Sequence, residues 1–155
     1  MTRKTAREIA VELCFAAAAN EIGTDELLDA FFEPEHYATL GAENELFSEL
    51  PDEKQMDYIR TLTALSREKA AELDELIGRY ARGWKSERIS RTARAVLRIA
   101  LVEILYMEEI PAAVAINEAV ELDKNYDEPE TVAFVNGVLG GFMRGEMTQA
   151  PQETE

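Results

Sequence analysis

Residues Ile110 to Leu139 read IPAAVAINEAVELDKNYDEPETVAFVNGVL, and this stretch decides the fold class. It holds two helical runs, each opened by a proline. Pro111 and Pro129 suit a helix's first turn, where an N–H has no intrahelical partner to lose. Asn125 to Glu128 forms a short polar break between the runs. Val114, Ala115, Ala119, Val120 and Leu122 recur at helical spacing, as do Val132, Val135, Val138 and Leu139. Polar residues interrupt both stripes: Asn117 and Glu118 beside Ile116, and Asn136 between Val135 and Gly137. Asparagine is a poor helix-interior residue because its side chain competes for backbone hydrogen bonds. Such residues lie either on a wet face or in a specific internal bond.

The same periodicity extends upstream. A first helix runs from about Arg3 to Ala19 with Ile9, Leu13 and Ala16 or Ala17 inward, stopped by Asn20 and Gly23. Thr24 or Asp25 can cap a second helix through Phe32, which turns Leu27, Leu28, Phe31 and Phe32 inward. Glu33 to Leu50 holds Pro34, Gly41 and many acids, with Leu46 and Phe47 as anchors for one short turn. Pro51 to about Leu65 reads as a third helix on a Met56, Ile59, Leu62 stripe, and Ser66 can cap a fourth that ends at Gly83. Ser90 caps a fifth, with Leu97, Leu101, Ile104 and Leu105 inward. The last helix ends near Gly145, so residues 1–146 form one helical domain and 147–155 a polar, disordered tail. No strand alternation is sustained, and short connections imply antiparallel neighbours. The fold class is all-α.

A chain of 155 residues, 46% of them hydrophobic, suits a single globular domain or two small helical subdomains. No run of about 18 apolar residues exists, so no membrane span is expected. The opening MTRKTAREIAVELC carries Glu8 and Glu12 and no cleavage-type site, unlike a secretory signal. The single cysteine, Cys14, forms no intramolecular disulfide and fits a reducing cytoplasm.

The net charge of −15 argues at first against nucleic acid, since binding a polyanion rests on cations that neutralise phosphates. The distribution matters more than the sum. Arg3, Lys4 and Arg7 cluster at the N-terminus. Arg79, Arg82, Lys85, Arg88, Arg91, Arg94 and Arg98 share a window whose one acidic residue is Glu87, so ten of the sixteen basic residues occupy two short segments.

Enzymatic chemistry is hard to place. One histidine, His36, and one cysteine cannot build a His/Cys metal site. Glu118, Glu121 and Asp123 could form an acid–base group, but in an acid-rich helical chain they read first as surface residues or one structural hydrogen bond. No phosphate-binding glycine motif is present, and Gly137, Gly140 and Gly141 read as helix-packing positions. Arg91, Arg94 and Arg98 lie along one strip of the fifth helix. Arg98 is expected to position helices through a carboxylate such as Glu103, Glu118 or Glu121, because desolvation offsets much of a buried pair's attraction. Arg91 and Arg94 are expected at the surface, open to a protein partner or RNA. Arg3, Lys4 and Arg7 are the better RNA candidates. Single-stranded RNA is read by stacking and by base-edge contacts. Phe15, Phe134 and Tyr126 are the aromatic candidates, although Phe15 and Phe134 read first as core. Thr131 offers an N–H and a hydroxyl at a helix N-terminus.

Arg94-Ala95-Val96-Leu97-Arg98-Ile99-Ala100, then Glu103 and Ile110-Pro111, then Ala115-Ile116-Asn117-Glu118-Ala119-Val120-Glu121-Leu122 and Phe134-Val135-Asn136-Gly137-Val138-Leu139, follow one another in an order that resembles the NusB family of transcription antitermination factors. Thr5-Ala6-Arg7-Glu8 with Ala10 and Leu13 resembles the family's opening helix, and Trp84 sits where many members carry a tryptophan. The resemblance implies a compact seven-helix arrangement in two helical halves. It implies a non-catalytic factor that binds boxA-type single-stranded RNA of ribosomal RNA leader transcripts. The partner implied is NusE, a ribosomal small-subunit protein, within an RNA polymerase antitermination complex, and no cofactor is implied. The RNA surface carried over comprises Arg3, Lys4 and Arg7 with Glu130, Thr131 and Phe134. Arg98, Asn117, Glu118 and Asn136 are then expected as structural polar groups. The chain departs from the family in its few N-terminal cations, its Glu128 and Glu130 beside the implied RNA surface, and its acidic total. The competing reading is a helical protein-interaction module without RNA binding, using the Arg79–Arg98 segment.

Overall fold

The structure, a computed structural model, describes residues 1–17 and 21–147. They are helical, with no strand among them, and divide at Glu68 into two compact units. The N-terminal unit comprises α1 (Arg3–Ala17), α2 (Thr24–Phe31), α3 (Pro34–Glu43) and α4 (Glu53–Glu68). The C-terminal unit comprises α5 (Ala70–Tyr80), α6 (Arg91–Tyr106), α7 (Ala112–Asp123) and α8 (Pro129–Phe142), closed by a wide π-type turn over Met143–Met147. The expected stop at Asn20 and the tail from 148 onward lie outside the described residues. No helix among the described residues is long and apolar enough to cross a membrane.

In the N-terminal unit α1 packs on α4, and Ile9, Ala10 and Leu13 of the one and Ile59 and Leu62 of the other are buried. The helix added to the expected seven is α3. Its start is set locally: Pro34 occupies the first turn, and the Glu33 carboxylate accepts from the N–H groups of Glu35 at 3.1 Å and His36 at 2.8 Å. Tyr37 then turns inward into an edge-on cluster with Phe31 and Phe47, at centroid distances of 6.1 and 5.9 Å. A run with one strongly apolar inward position carries too little periodicity to be read as a helix, although its cap was legible. Two expected caps are corrected. Helix α2 follows Gly23 with no side-chain cap, and Ser66 lies buried inside α4, with the break instead at Lys69.

In the C-terminal unit α6 is the central element, with Ala93 and Val96 to Val102 buried except for the half-exposed Arg98. Helices α5, α7 and α8 all pack on it. Ser90 caps α6 as expected, its hydroxyl accepting from Ala93 N–H at 3.0 Å. Pro129 occupies the first turn of α8, whereas Pro111 stands one residue before α7 in an extended conformation. The α7 stripe is Ala115, Ala119, Leu122 and Asp123, while Val114 is exposed.

Candidate nucleic-acid interface

The basic start of α1 is anchored before it is presented. The Thr2 hydroxyl caps the helix by accepting from Thr5 N–H at 3.1 Å. Asp52 and Gln55 form a reciprocal cap at the start of α4, with bonds of 2.8 and 2.9 Å, and the Gln55 amide donates to the Met1 carbonyl. Arg3 and Lys4 are exposed, and the Arg3 guanidinium lies 4.4 Å from the centre of the Tyr58 ring. Arg3, Lys54, Gln55 and Tyr58 border a shallow 220 Å³ depression. Arg7 corrects the expected trio. It is 3% exposed, so it belongs to the packing of α1 and offers nothing to a phosphate.

The second basic window also sorts itself by tertiary contact. Arg98 donates to both carboxylate oxygens of Asp74, at 2.8 and 2.6 Å, and Arg94 approaches the same carboxylate at 3.3 Å. Arg98 thus pairs with a carboxylate of α5 rather than with Glu103, Glu118 or Glu121. Arg94, expected at the surface, is half-buried on that carboxylate. Burial pushes the Asp74 carboxyl up, and the two guanidiniums more than offset it, holding it below the ordinary carboxylate value. That contribution to stability is complete above the ordinary value and is lost as pH falls through the lowered one. Asp74→Ala strands two half-buried guanidiniums and should destabilise the protein by about 2–3 kcal/mol in a denaturant titration. Arg79 is held by Glu75 at 3.2 Å and Glu146 at 2.7 Å. Arg82, Lys85, Arg88 and Arg91 are exposed.

At the start of α8, Glu130 is exposed and Thr131 half-buried. The Thr131 N–H, expected to be available, donates to the Glu128 carbonyl at 2.9 Å. Phe134 is buried and stacks on Trp84, with centroids 4.5 Å apart and planes tilted by 37°. The indole is half-buried, and the Arg88 guanidinium sits over it at 5.4 Å. Trp84 follows Gly83, whose φ of +79° is a left-handed turn that favours glycine. The core expectation for Phe15 is overturned: it is 37% exposed, as is Tyr126. Asn117 and Asn136, expected inside the packing, are exposed along a groove of about 800 Å³ between α7 and α8. Glu118 is half-buried.

Asp123 does not lie at the surface, the first place expected for it together with Glu118 and Glu121. Asp123 is fully buried, and no donor among the described residues reaches its oxygens. Burial pushes its carboxyl up to about 8, and the neighbouring Asp127 carboxyl adds to the shift. Two carboxyl groups can bond only if one holds a proton. Asp127 also accepts from the Ser90 hydroxyl, at 3.1 and 3.2 Å, which ties this pair to the cap of α6. The available signal was position: Asp123 continues the Ala115, Ala119, Leu122 stripe. Among the described residues, no group of three or more histidine, cysteine, aspartate or glutamate side chains is placed to hold a metal.

The family model described as the NusB family matches residues 4–144. A transcription antitermination protein NusB from Carboxydothermus hydrogenoformans is 39% identical over 140 residues, covering 90% of this chain and 91% of that protein. One from Ruminiclostridium cellulolyticum is 34% identical over 99% of this chain and 94% of its own. A solved NusB structure from T. maritima superposes with a TM-score of 0.76 at 26% identity, covering 99% of this chain and 98% of that one. None of these relatives is named as an enzyme. With 141 consecutive positions matched, across the eight α-helices of the described residues, the chain belongs to the NusB family.

Proposed function

We propose that this protein is a cytoplasmic transcription antitermination factor that binds boxA-type single-stranded RNA together with NusE, within an RNA polymerase antitermination complex. Family membership over nearly the whole chain carries the reading. The exposed Arg3 and Lys4 at the anchored start of α1 supply its first RNA contacts, and Glu130 and Thr131 border the second. Phe134, stacked on Trp84, sets an aromatic pair beside that second contact. Phosphate contacts of this kind position RNA, and base contacts specify it.

The test is an anisotropy titration of boxA RNA with and without NusE at moderate salt. Arg3→Glu should weaken binding by roughly tenfold and reduce the salt slope by about one. Its stability should change by no more than about 1 kcal/mol, the scale of one exposed cation–π contact. Wild-type affinity in that variant would refute the N-terminal contact. Binding to NusE without any RNA dependence would favour the protein-only module, acting through the exposed Arg82, Lys85, Arg88 and Arg91.

A further inference from the structure

A cavity of about 460 Å³ opens in the C-terminal unit beside the Trp84–Phe134 stack. Trp84, Phe134 and Tyr80 supply aromatic walls, Gly137 and Gly141 line it with bare backbone, and Arg82 and Arg144 stand among its lining residues. We infer that this cavity is a base-binding site, which takes one unstacked nucleotide of single-stranded RNA between its aromatic walls with the adjoining phosphates against Arg82 and Arg144. The inference rests on the RNA-binding reading above and extends that surface along α8 beyond its first turn.

Four observations favour a nucleotide. A flat base needs aromatic faces, and sequence-tolerant stacking on such faces is how single strands are held. It also needs close approach, and a Cβ added at Gly137 would meet nothing within 4 Å, so that floor is open. Gly141 and Gly145 serve differently, since a Cβ at either would press on the Tyr80 ring, and their bare backbone seats that wall against the helix. Charge is the third observation. On a chain of net charge −15, no carboxylate is among the described lining residues, and the nearby Glu146 is engaged by the Tyr80 hydroxyl and by Arg79. The last is contrast. The larger groove between α7 and α8 offers Ile116, Val120 and Val132 but no aromatic ring, and sets Asp127 beside its one lysine. It has neither stacking face nor net positive charge.

Trp84 is the chain's one tryptophan, so its fluorescence reports on this cavity alone. Labelled boxA RNA is titrated into the full-length protein while RNA anisotropy and Trp84 emission are followed together. Saturable quenching with the anisotropy midpoint is expected. Gly137→Leu, which fills the open floor, should weaken binding about tenfold without lowering the melting temperature. Arg82→Glu combined with Arg144→Glu, both at exposed positions, should weaken it similarly, and carries the test if Gly137→Leu fails to fold. Anisotropy with unchanged Trp84 emission and wild-type affinity in both variants would overturn the cavity and leave RNA binding standing. So would a Trp84 response to the protein partner alone that RNA does not alter. No anisotropy change in any mixture would overturn the RNA reading and the cavity with it.

Discussion

Arg7→Glu should lower the stability of the protein by about 3–5 kcal/mol, the usual scale for breaking a buried charged arrangement. For a chain of this length that is a fall in melting temperature of roughly 10 °C or more. The reason is burial. Arg7 is 3% exposed on α1, among the buried Ala6, Ile9 and Ala10 of the same helix. Its long apolar stem contributes packing as well as charge, and glutamate would shorten the stem and reverse the charge in one step. Arg7→Met keeps most of the stem and should lose about half as much. Arg3→Glu, one helical turn away and exposed, is the control. Thermal unfolding followed by circular dichroism separates the three. A melting point for Arg7→Glu within about 1 °C of wild type would show that this side chain is not held inside. The result also bears on RNA titrations, because lost binding in an Arg7 variant reports on the fold.

Asp123→Asn should stabilise the protein at about pH 9 by roughly 2–4 kcal/mol and change it little at about pH 5. The wild-type carboxyl titrates near 8 in the folded state, well above its unfolded value of about 4. A group with a raised folded value contributes most below the unfolded value, and that contribution declines as pH rises through the folded one. Between about pH 4 and 8 the wild type should therefore lose stability steadily through this group. Asparagine removes only the Asp123 part. Its amide can donate to Asp127 at every pH, in place of the proton the two carboxyls must share. Denaturant titrations of both proteins across this range test the prediction. Parallel pH profiles would show that Asp123 ionises normally in the fold.

Much of the helical pattern was legible from short-range chemistry. Ser90 before an apolar-periodic run, Pro129 at a first turn and Gly83 beyond a helix end act within a few residues, so they could be read without neighbours. Helix α3 shows the boundary of that kind of reading. Glu33 and Pro34 announced its start, but its packing depends on Tyr37 meeting Phe31 and Phe47, which the chain brings together only on folding. The candidate surface was legible in outline, as two basic segments on an acidic background. Its membership was not. Arg3 and Arg7 are both basic residues of the first turns of α1, yet one is exposed over the Tyr58 ring and the other is inside.

The sequence by itself determined the all-helical class, most helix starts and the family, because caps, prolines and apolar periodicity are local and the INEAVEL and FVNGVL runs stand in a specific order. Tertiary structure alone decided which charges face water. Asp74 is 20 and 24 residues from the two arginines it holds, Arg94 and Arg98, and no spacing rule joins them. The Trp84–Phe134 stack spans 50 residues in the same way. Solvation of a charge depends on everything packed around it, so a titratable residue's role is settled by neighbours distant in the chain.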